Sequence, residues 1–429
     1  ALHYTRGAGF YEEFRENDRL SRYGLPDLEQ NGNTIEKSDL VRRRWLDNHF
    51  YGTTFSVNYR PSSSWNYTLG GAYNQYLGDH YGEVTQVSIY PNQSFGDKYY
   101  LNDATKNDLN VYFKTDYKTQ DWLFNLDVQY RNILYKAQGD DDKIKDLNFK
   151  DQLHFVNPKF GVTYLLNHQS NLYASYAYAS KEPVRKDYVE NPRNEFPKPE
   201  RMQNIEMGYR YRSNQINLGS NFYAMLYKDQ LIPTGQLNDT GAELRVNIPN
   251  SYRIGWELDA SWMIHPKFVW SATAALSQNK IKDFVEYVAV LNDEWQFVRE
   301  EQFYYKSTQI AKSANTILSN NFTYLPTENW SISLLSKYVS RVYLDNSSSR
   351  ERSIDPFNYT NLRTQYSFSA LGLKKIDVLM SVNNIFNAKY VTSGYTWGQI
   401  FESTGQRDFY NFYYPQATTN FIFGLNIRF

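Results

Sequence analysis

The stretch FIFGLNIRF, Phe421 to Phe429, alternates between large apolar residues and mostly small or polar ones. The apolar set occupies every second position: Phe421, Phe423, Leu425, Ile427 and Phe429. Successive side chains of a β-strand point to opposite faces, so the stretch is predicted to be a strand with one apolar face. Such a strand suits either the core of a soluble β-sandwich or the lipid-facing wall of an outer-membrane barrel.

The same alternation recurs along the chain and predicts sixteen strands. In one of them, Trp122, Phe124, Leu126, Val128 and Tyr130 alternate with Asn125, Asp127, Gln129 and Arg131. Short connections between strands alternate with long ones, which centre on residues 15–48, 80–105, 139–151, 184–200, 230–240, 283–311, 346–352 and 391–416. Short turns at one end and long loops at the other are typical of outer-membrane barrels. The predicted fold is therefore an all-β, antiparallel transmembrane β-barrel.

Composition agrees with that fold and narrows the function. Aromatic residues make up 17% of the chain, as expected where rings line two membrane interfaces. A tyrosine-rich soluble β protein or a carbohydrate binder is the alternative. The 46 basic and 46 acidic residues balance, which argues against a nucleic-acid partner. No run of about 18 apolar residues occurs, which excludes a helical membrane protein.

Two internal segments and the terminal strand carry a family resemblance. PKPERMQNIEMGYRYR (Pro197 to Arg212) and VNNIFNAKY (Val382 to Tyr390) resemble segments of TonB-dependent outer-membrane receptors. LHYTRGAGFYEEF (Leu2 to Phe14) and RRRWLDNHFYGTTF (Arg42 to Phe55) resemble members of that family from Bacteroidetes-type bacteria. The strand that ends at Phe429 resembles the assembly signal of that family. The resemblance implies a 22-stranded barrel that surrounds an N-terminal plug. We therefore expect residues 1–429 to be the C-terminal part of such a barrel, with the plug domain and the first strands absent.

The resemblance also implies a function and partners. The function is active transport of a metal chelate across the cell outer membrane, with ferric siderophores favoured and haem or cobalamin next. The implied partners are the TonB–ExbB–ExbD complex, acting through a plug and TonB box that lie outside this stretch, the barrel-assembly machinery, lipopolysaccharide and other outer-membrane lipid, and the chelate. A passive 16-stranded porin and a surface ligand-binding protein without transport are the alternatives.

Ligand capture by outer loops would use aromatic side chains, because rings add contact area at little cost in entropy. The candidates are Tyr81, Tyr99, Tyr100, Tyr304, Tyr305, Tyr395 and Trp397. Equally, these rings could belong to the outer aromatic girdle. The charges predicted to face inward are mixed, so the sequence leaves the charge of the ligand open.

Other polar residues predict neither catalysis nor a metal centre. No local signature joins a nucleophile to a histidine, so we expect no enzyme activity and no catalytic residues. The six histidines lack metal-ligand spacing, and no cofactor is expected. Asp140, Asp141, Asp142 and Asp146 could hold Ca²⁺ but read better as a solvated loop. Arg42–Arg44 could attract an anionic ligand or a lipopolysaccharide phosphate, with a solvated loop again the preferred interpretation.

Overall fold

The computed structural model describes residues 1–30, 32–90, 96–142, 144–191, 195–237, 241–370 and 372–429. Nearly all regular structure there is β-strand, and two short helices interrupt it, a 3-10 helix at Leu20–Tyr23 and α1 (Arg185–Val189). No described helix has the length and apolar character needed to cross a membrane. The strands are β1 (Leu2–Arg19), β2 (Leu28–Gln30), β3 (Asn33–Ile35), β4 (Lys37–Tyr59), β5 (Trp65–Val87), β6 (Lys98–Lys118), β7 (Trp122–Gly139), β8 (Leu147–Leu165), β9 (Ser170–Lys181), β10 (Glu200–Arg212), β11 (Ile216–Leu237), β12 (Glu243–His265), β13 (Phe268–Leu291), β14 (Phe297–Gln309), β15 (Thr316–Thr327), β16 (Trp330–Val339), β17 (Val342–Tyr343), β18 (Ser353–Ile354), β19 (Phe357–Phe368), β20 (Lys375–Asn383), β21 (Val391–Phe401), β22 (Arg407–Pro415) and β23 (Asn420–Arg428).

The chain divides into two compact units, and the first comprises Ala1–Tyr117 and Leu126–Pro158. Its sheet runs β1–β4–β5–β6, with every neighbour antiparallel. The register aligns one row of apolar side chains across the four strands, Phe10, Trp45, Tyr81 and Leu101. The adjacent row, on the opposite face, consists of Tyr11, Arg44, Gly82 and Tyr100. One face of this sheet is thus apolar and the other polar, as the alternation predicts.

The second unit comprises Lys118–Asn125 and Lys159–Phe429. Its strands pair antiparallel in the order β9–β10–β11–β12–β13 and then β15–β16–β19–β20–β23. Residues 268–276 of β13 pair with β15, whereas its later residues, 280–291, pair with β14. The β21–β22 hairpin joins the end of β13 through a short parallel pairing, Ala289–Leu291 with Gln399–Phe401.

Exposed apolar side chains confirm the predicted alternation in the second unit. On β11 the exposed residues Leu218, Phe222 and Leu226 share one parity, and on β12 Trp256 and Trp262 do. The terminal strand is also confirmed: β23 pairs with β20 along its whole length, Lys375 opposite Arg428 through Asn383 opposite Asn420.

All sixteen predicted strands are present, but the prediction of long irregular loops is wrong for several segments. Seven strands lie outside the predicted count: β2, β3, β14, β17, β18, β21 and β22. Segments 283–311 and 391–416 are mostly hairpins, and β4, β5 and β6 extend far into the expected loops 15–48 and 80–105. The physical reason is burial on both faces. Ile281 and Phe284, for example, pack into a local core with Ile232 and Ile248, so apolar positions no longer alternate there.

Candidate functional site

Arg42 is the centre of a buried ion-pair cluster in the first unit. Its Nη2 donates to Glu13 Oε2 at 2.8 Å, and its Nη1 donates to Asp142 Oδ1 at 3.1 Å. The side chains of Arg42 and Asp142 are both 0% exposed. Asp142 also lies 3.3 Å from Arg22 Nη2 and 3.8 Å from Arg44 Nη1. Three guanidinium groups therefore surround one carboxylate and connect the segment that follows β7 to β4.

Two of the predicted aromatic residues, Tyr99 and Tyr100, belong to this cluster. Arg44 Nε donates to the hydroxyl of Tyr100 at 3.2 Å, and Tyr99 packs edge-on against Tyr23. Both rings cover Gly82, where any Cβ would overlap them. Position 82 therefore requires glycine because a larger side chain would not fit, and not because its backbone φ is positive. Burial, assisted by the hydrogen bond that its hydroxyl donates to Asp18, raises the pKa of Tyr23 to about 12.

The preferred reading of Arg42–Arg44 and of the Asp140 segment as solvated loops is wrong at the cluster. The side chains of Arg42 and Asp142 are fully buried, and that of Arg44 is mostly buried. Arg43 differs, because it lies on the opposite face of β4, is 37% exposed, and pairs with Glu12 at 2.8 Å. Parts of the predicted loops 80–105, 139–151, 184–200 and 230–240, namely residues 91–95, 143, 192–194 and 238–240, lie outside the described residues.

A cavity of about 310 Å³ in the second unit brings aromatic and charged side chains together. It lies between the later part of β13, the segment from Asp345 to Arg352, and the β21–β22 hairpin. The rings of Phe297, Trp397 and Phe409 line it. This part of β13 lies beyond the exposed apolar residues Phe268 and Leu276, so the cavity stands outside the band of the sheet that would face lipid.

Glu286 organises the charges of the cavity. Arg352 Nη1 donates to it at 2.5 Å, Arg407 also donates to it, and Tyr305 donates to it at 2.9 Å. Burial alone would raise the pKa of Glu286, but the two guanidinium groups outweigh burial and hold that pKa below its usual value. The same Arg352 Nη1 donates to Asp345 at 2.5 Å, yet burial raises the pKa of Asp345.

The two arginines also stack on Phe409, with guanidinium carbons 4.4 Å (Arg352) and 4.7 Å (Arg407) from the ring centroid. The Nε–H of each has no acceptor among the residues that the structure describes. Two buried guanidinium donors without acceptors thus lie beside an aromatic ring, and guanidinium groups bind anionic and carbonyl oxygens well.

The seven predicted ligand residues are divided between the two units, three in the first and four in the second. In the second unit, Trp397 lines the cavity and Tyr305 bonds to Glu286. Tyr304 is 75% exposed, and Tyr395 stacks on Phe412 at 4.8 Å. In the first unit, Tyr81 stacks on Trp45 at 5.8 Å, in the apolar row, where an aromatic girdle is expected. A ligand-binding role for these residues stays a prediction.

Sequence reasoning missed Glu286, Arg352, Arg407 and Phe409. These residues lie within segments predicted to be irregular loops, and Arg352 and Arg407 are 66 and 121 positions from Glu286. No local spacing could have joined them. Within the described ranges, no three His, Cys, Asp or Glu side chains lie close enough together to hold a metal ion.

Comparison with known proteins supplies the family. Residues 2–385 match the family described as TonB dependent receptor-like, beta-barrel. No curated protein matches the sequence. Similar solved structures include the siderophore receptor PiuA from Acinetobacter baumannii (14% identity, TM-score 0.62, covering 99% of this chain and 62% of that one). The ferric-catecholate import receptor Fiu from E. coli is also similar (13% identity, TM-score 0.61, 99% and 61%), as is the copper transporter OprC (12% identity, TM-score 0.67, 99% and 61%).

At these identities the solved structures establish the fold, and the chain spans about three fifths of the length of each of them. The family match covers most of the sequence and agrees with the antiparallel strands and their exposed apolar faces. This chain belongs to the TonB-dependent receptor-like β-barrel family, whose members reside in the outer membrane.

Proposed function

We propose that this chain forms the barrel part of an outer-membrane transporter that takes up a metal chelate, with ferric siderophores favoured and haem or cobalamin next. The observation that carries the proposal is the cavity beside Glu286. It combines aromatic rings with arginine donors. It also lies beyond the apolar band, on the side from which a ligand outside the cell would approach. PiuA is a siderophore receptor, Fiu a ferric-catecholate import receptor and OprC a copper transporter, which supports the same ligand class.

The chemistry of the cavity fits such a ligand. Rings of Phe297, Trp397 and Phe409 offer flat apolar surface to a catechol, a porphyrin or a corrin. Arg352 and Arg407 offer donors to the oxygen atoms that a chelator presents at its surface. The proposed role is capture and release of a ligand, with no bond made or broken by the protein.

Transport would require partners that supply energy and assembly. We propose that the TonB–ExbB–ExbD complex drives uptake through a plug, and that the barrel-assembly machinery recognises β23. Phe421, Phe423, Leu425, Ile427 and Phe429 are all strongly exposed, which supports recognition of this strand by another protein or by lipid.

Calorimetric titration of the purified chain in detergent micelles tests the proposal. The ligands are a ferric catecholate, ferric citrate, haemin and cyanocobalamin. We expect one of them to bind, and Trp397→Ala to weaken its binding by about tenfold or more, since buried aromatic contacts contribute about 2 kcal/mol. Trp330→Ala is the matched control, because Trp330 is 40% exposed and Trp397 38% exposed, but Trp330 lies outside the cavity.

The proposal would be contradicted if none of the four ligands bound, or if both tryptophan variants lost the same amount of ligand affinity. A stable, ligand-independent conductance in planar bilayers would instead favour a passive porin. If a ligand binds, growth of a receptor-deleted strain that expresses the protein, on single iron or cobalamin sources, would identify the ligand used in the cell.

A further inference from the structure

Asp142 extends one carboxylate from a surface segment into the buried cluster of the first unit. The segment lies between the end of β7 and the start of β8, and the side chain of Lys145 within it is 69% exposed. Asp142 as a residue is only half-buried, yet its side chain is 0% exposed. The backbone of Asp142 therefore lies near the surface, and its carboxylate points inward to the arginines.

The contacts of Asp142 are long for buried ion pairs. Its carboxylate lies 3.1 Å from Arg42, 3.3 Å from Arg22 and 3.8 Å from Arg44. Charge-assisted pairs of this kind are usually about 2.7–2.9 Å long. In the same cluster, Arg42 reaches Glu13 at 2.8 Å. One carboxylate is therefore shared among three guanidinium groups and holds none of them at the usual distance.

The cluster carries more positive than negative charge. Among the described residues, its charged groups are the four guanidinium groups of Arg15, Arg22, Arg42 and Arg44 and the three carboxylates of Glu13, Asp18 and Asp142. Glu13 and Asp18 are each shared between two arginines. Like charges repel each other most strongly where they are shielded from water. An anion with more than one negative charge would offset that repulsion better than Asp142 does.

The cluster faces water and not lipid. Arg42 and Arg44 lie on the polar face of β4, and the register places Tyr100 in the same row as Arg44, two strands away. The exposed apolar residue Val57 lies at the other end of β4, near the short turn. A membrane-spanning strand needs about 9–11 residues. Positions 42 and 57 are farther apart than that, so a soluble ligand can reach the arginines without entering lipid.

From the long contacts, the surplus charge and the aqueous location, we propose that the guanidinium groups of Arg22, Arg42 and Arg44 form a binding site for a small soluble di- or tricarboxylate. Asp142 occupies this site as an internal ligand. The incoming carboxylates replace Asp142, and the segment that carries Asp142 moves away. An internal ligand competes at an effective concentration of about millimolar, so several carboxylates on one ligand are needed to displace it. The site needs no metal and is independent of the cavity beside Glu286, so this proposal and chelate uptake can fail separately.

Calorimetric titration of the full chain in detergent micelles with tricarballylate tests the proposal. Tricarballylate lacks the hydroxyl group through which citrate chelates iron, so its binding is not chelate capture. Asp142→Asn removes the internal ligand at nearly constant size. The matched control is Asp187→Asn, because the side chain of Asp187 is also buried (1% exposed) but pairs closely with Arg245, at 2.6 Å.

We expect Asp142→Asn to bind tricarballylate about tenfold more tightly than wild type does, or more, because a site that its internal ligand fills for about nine-tenths of the time loses that factor in apparent affinity. Asp187→Asn should bind tricarballylate with the affinity of wild type.

A spin label reports displacement of Asp142 without changing the site. The chain has no cysteine, so Lys145→Cys allows one label on the segment that carries Asp142. Tricarballylate should increase the mobility of this label, whereas sodium chloride at the same ionic strength should not. This measurement keeps the test decisive if Asp142→Asn fails to fold.

Three results would overturn the proposal. The first is a folded Asp142→Asn variant whose affinity for tricarballylate equals or falls below that of wild type. The second is an equal gain in affinity in Asp142→Asn and Asp187→Asn, which would make the gain a general effect of releasing an arginine. The third is a label at position 145 whose mobility does not change when tricarballylate is added.

Discussion

Replacing Arg42 by methionine should destabilise the barrel strongly, because it leaves a buried carboxylate with fewer partners. The side chain of Asp142 is 0% exposed, and the partners it would retain among the residues that the structure describes are Arg22 at 3.3 Å and Arg44 at 3.8 Å. Glu13 would keep Arg15 at 2.9 Å. Removing one member of a buried ion pair costs about 3–5 kcal/mol, and the remaining partners favour the lower end, about 3 kcal/mol.

The adjacent residue provides the control. Arg43 is 37% exposed and pairs with Glu12, itself 48% exposed, so Arg43→Met should cost less than about 1 kcal/mol. The measurement is urea unfolding in detergent–lipid micelles, followed by tryptophan fluorescence, with the free energy taken from midpoint and slope. A difference between the two variants smaller than about 1 kcal/mol would refute the reasoning. Adding Asp142→Leu to Arg42→Met should recover part of the loss, because the buried carboxylate that lost its closest partner is then removed.

Three further substitutions test other features by the same unfolding assay. Ala274→Arg, on the apolar face of β13, should cost about 2–4 kcal/mol, whereas Thr273→Arg on the opposite face should cost much less; equal costs would contradict a membrane-facing sheet. Because the pKa of Glu286 is lowered, its ion pairs stabilise the fold above pH 4.5 and that contribution disappears as the pH falls through the folded pKa. Glu286→Gln should therefore destabilise at pH 7 and have a progressively smaller effect as the pH falls below 4.5, and a pH-independent cost would count against the ion pairs. Gly82→Ala should cost about 1–3 kcal/mol through overlap with two tyrosine rings, while Gly9→Ala, with open space around it, should change stability by less than about 0.5 kcal/mol.

The membrane-facing part of the fold could be predicted because apolar and polar residues alternate along a strand that has one lipid face and one polar face. Phe421 to Phe429 shows that period directly, and Leu218 to Leu226 shows it again. The parts beyond the apolar band could not be predicted in the same way. There, Ile281 and Ile248 are buried within a local core, and the period-two pattern fades although the backbone continues as a strand.

The sites were beyond sequence reasoning for a different reason. Arg42 and Asp142 are 100 residues apart, and only the tertiary fold brings them together. A run of arginines is ordinarily solvated, and the sequence offers no sign that Arg42 is instead buried between Glu13 and Asp142. Trp397 could be selected from the sequence because an aromatic residue in an expected outer segment is a reasonable ligand contact. Its charged neighbours carried no comparable signal.

β13 changes its pairing partner partway along its length, so the hairpin formed by the later part of β13 and β14 is not paired with β15. Residues 268–276 hold β15, and residues 280–291 hold β14, so the two sets of backbone hydrogen bonds share no residue. Residues 280–309 are therefore a cassette that shares no strand pairing with β15, and the core around Ile281, the ion pairs of Glu286 and the short pairing with β21 hold it to the rest of the unit. Replacing this cassette with the corresponding residues of a relative would therefore leave the register between β13 and β15 unchanged. Substitutions that accumulate in the cassette under selection for its contacts would also leave that register unchanged.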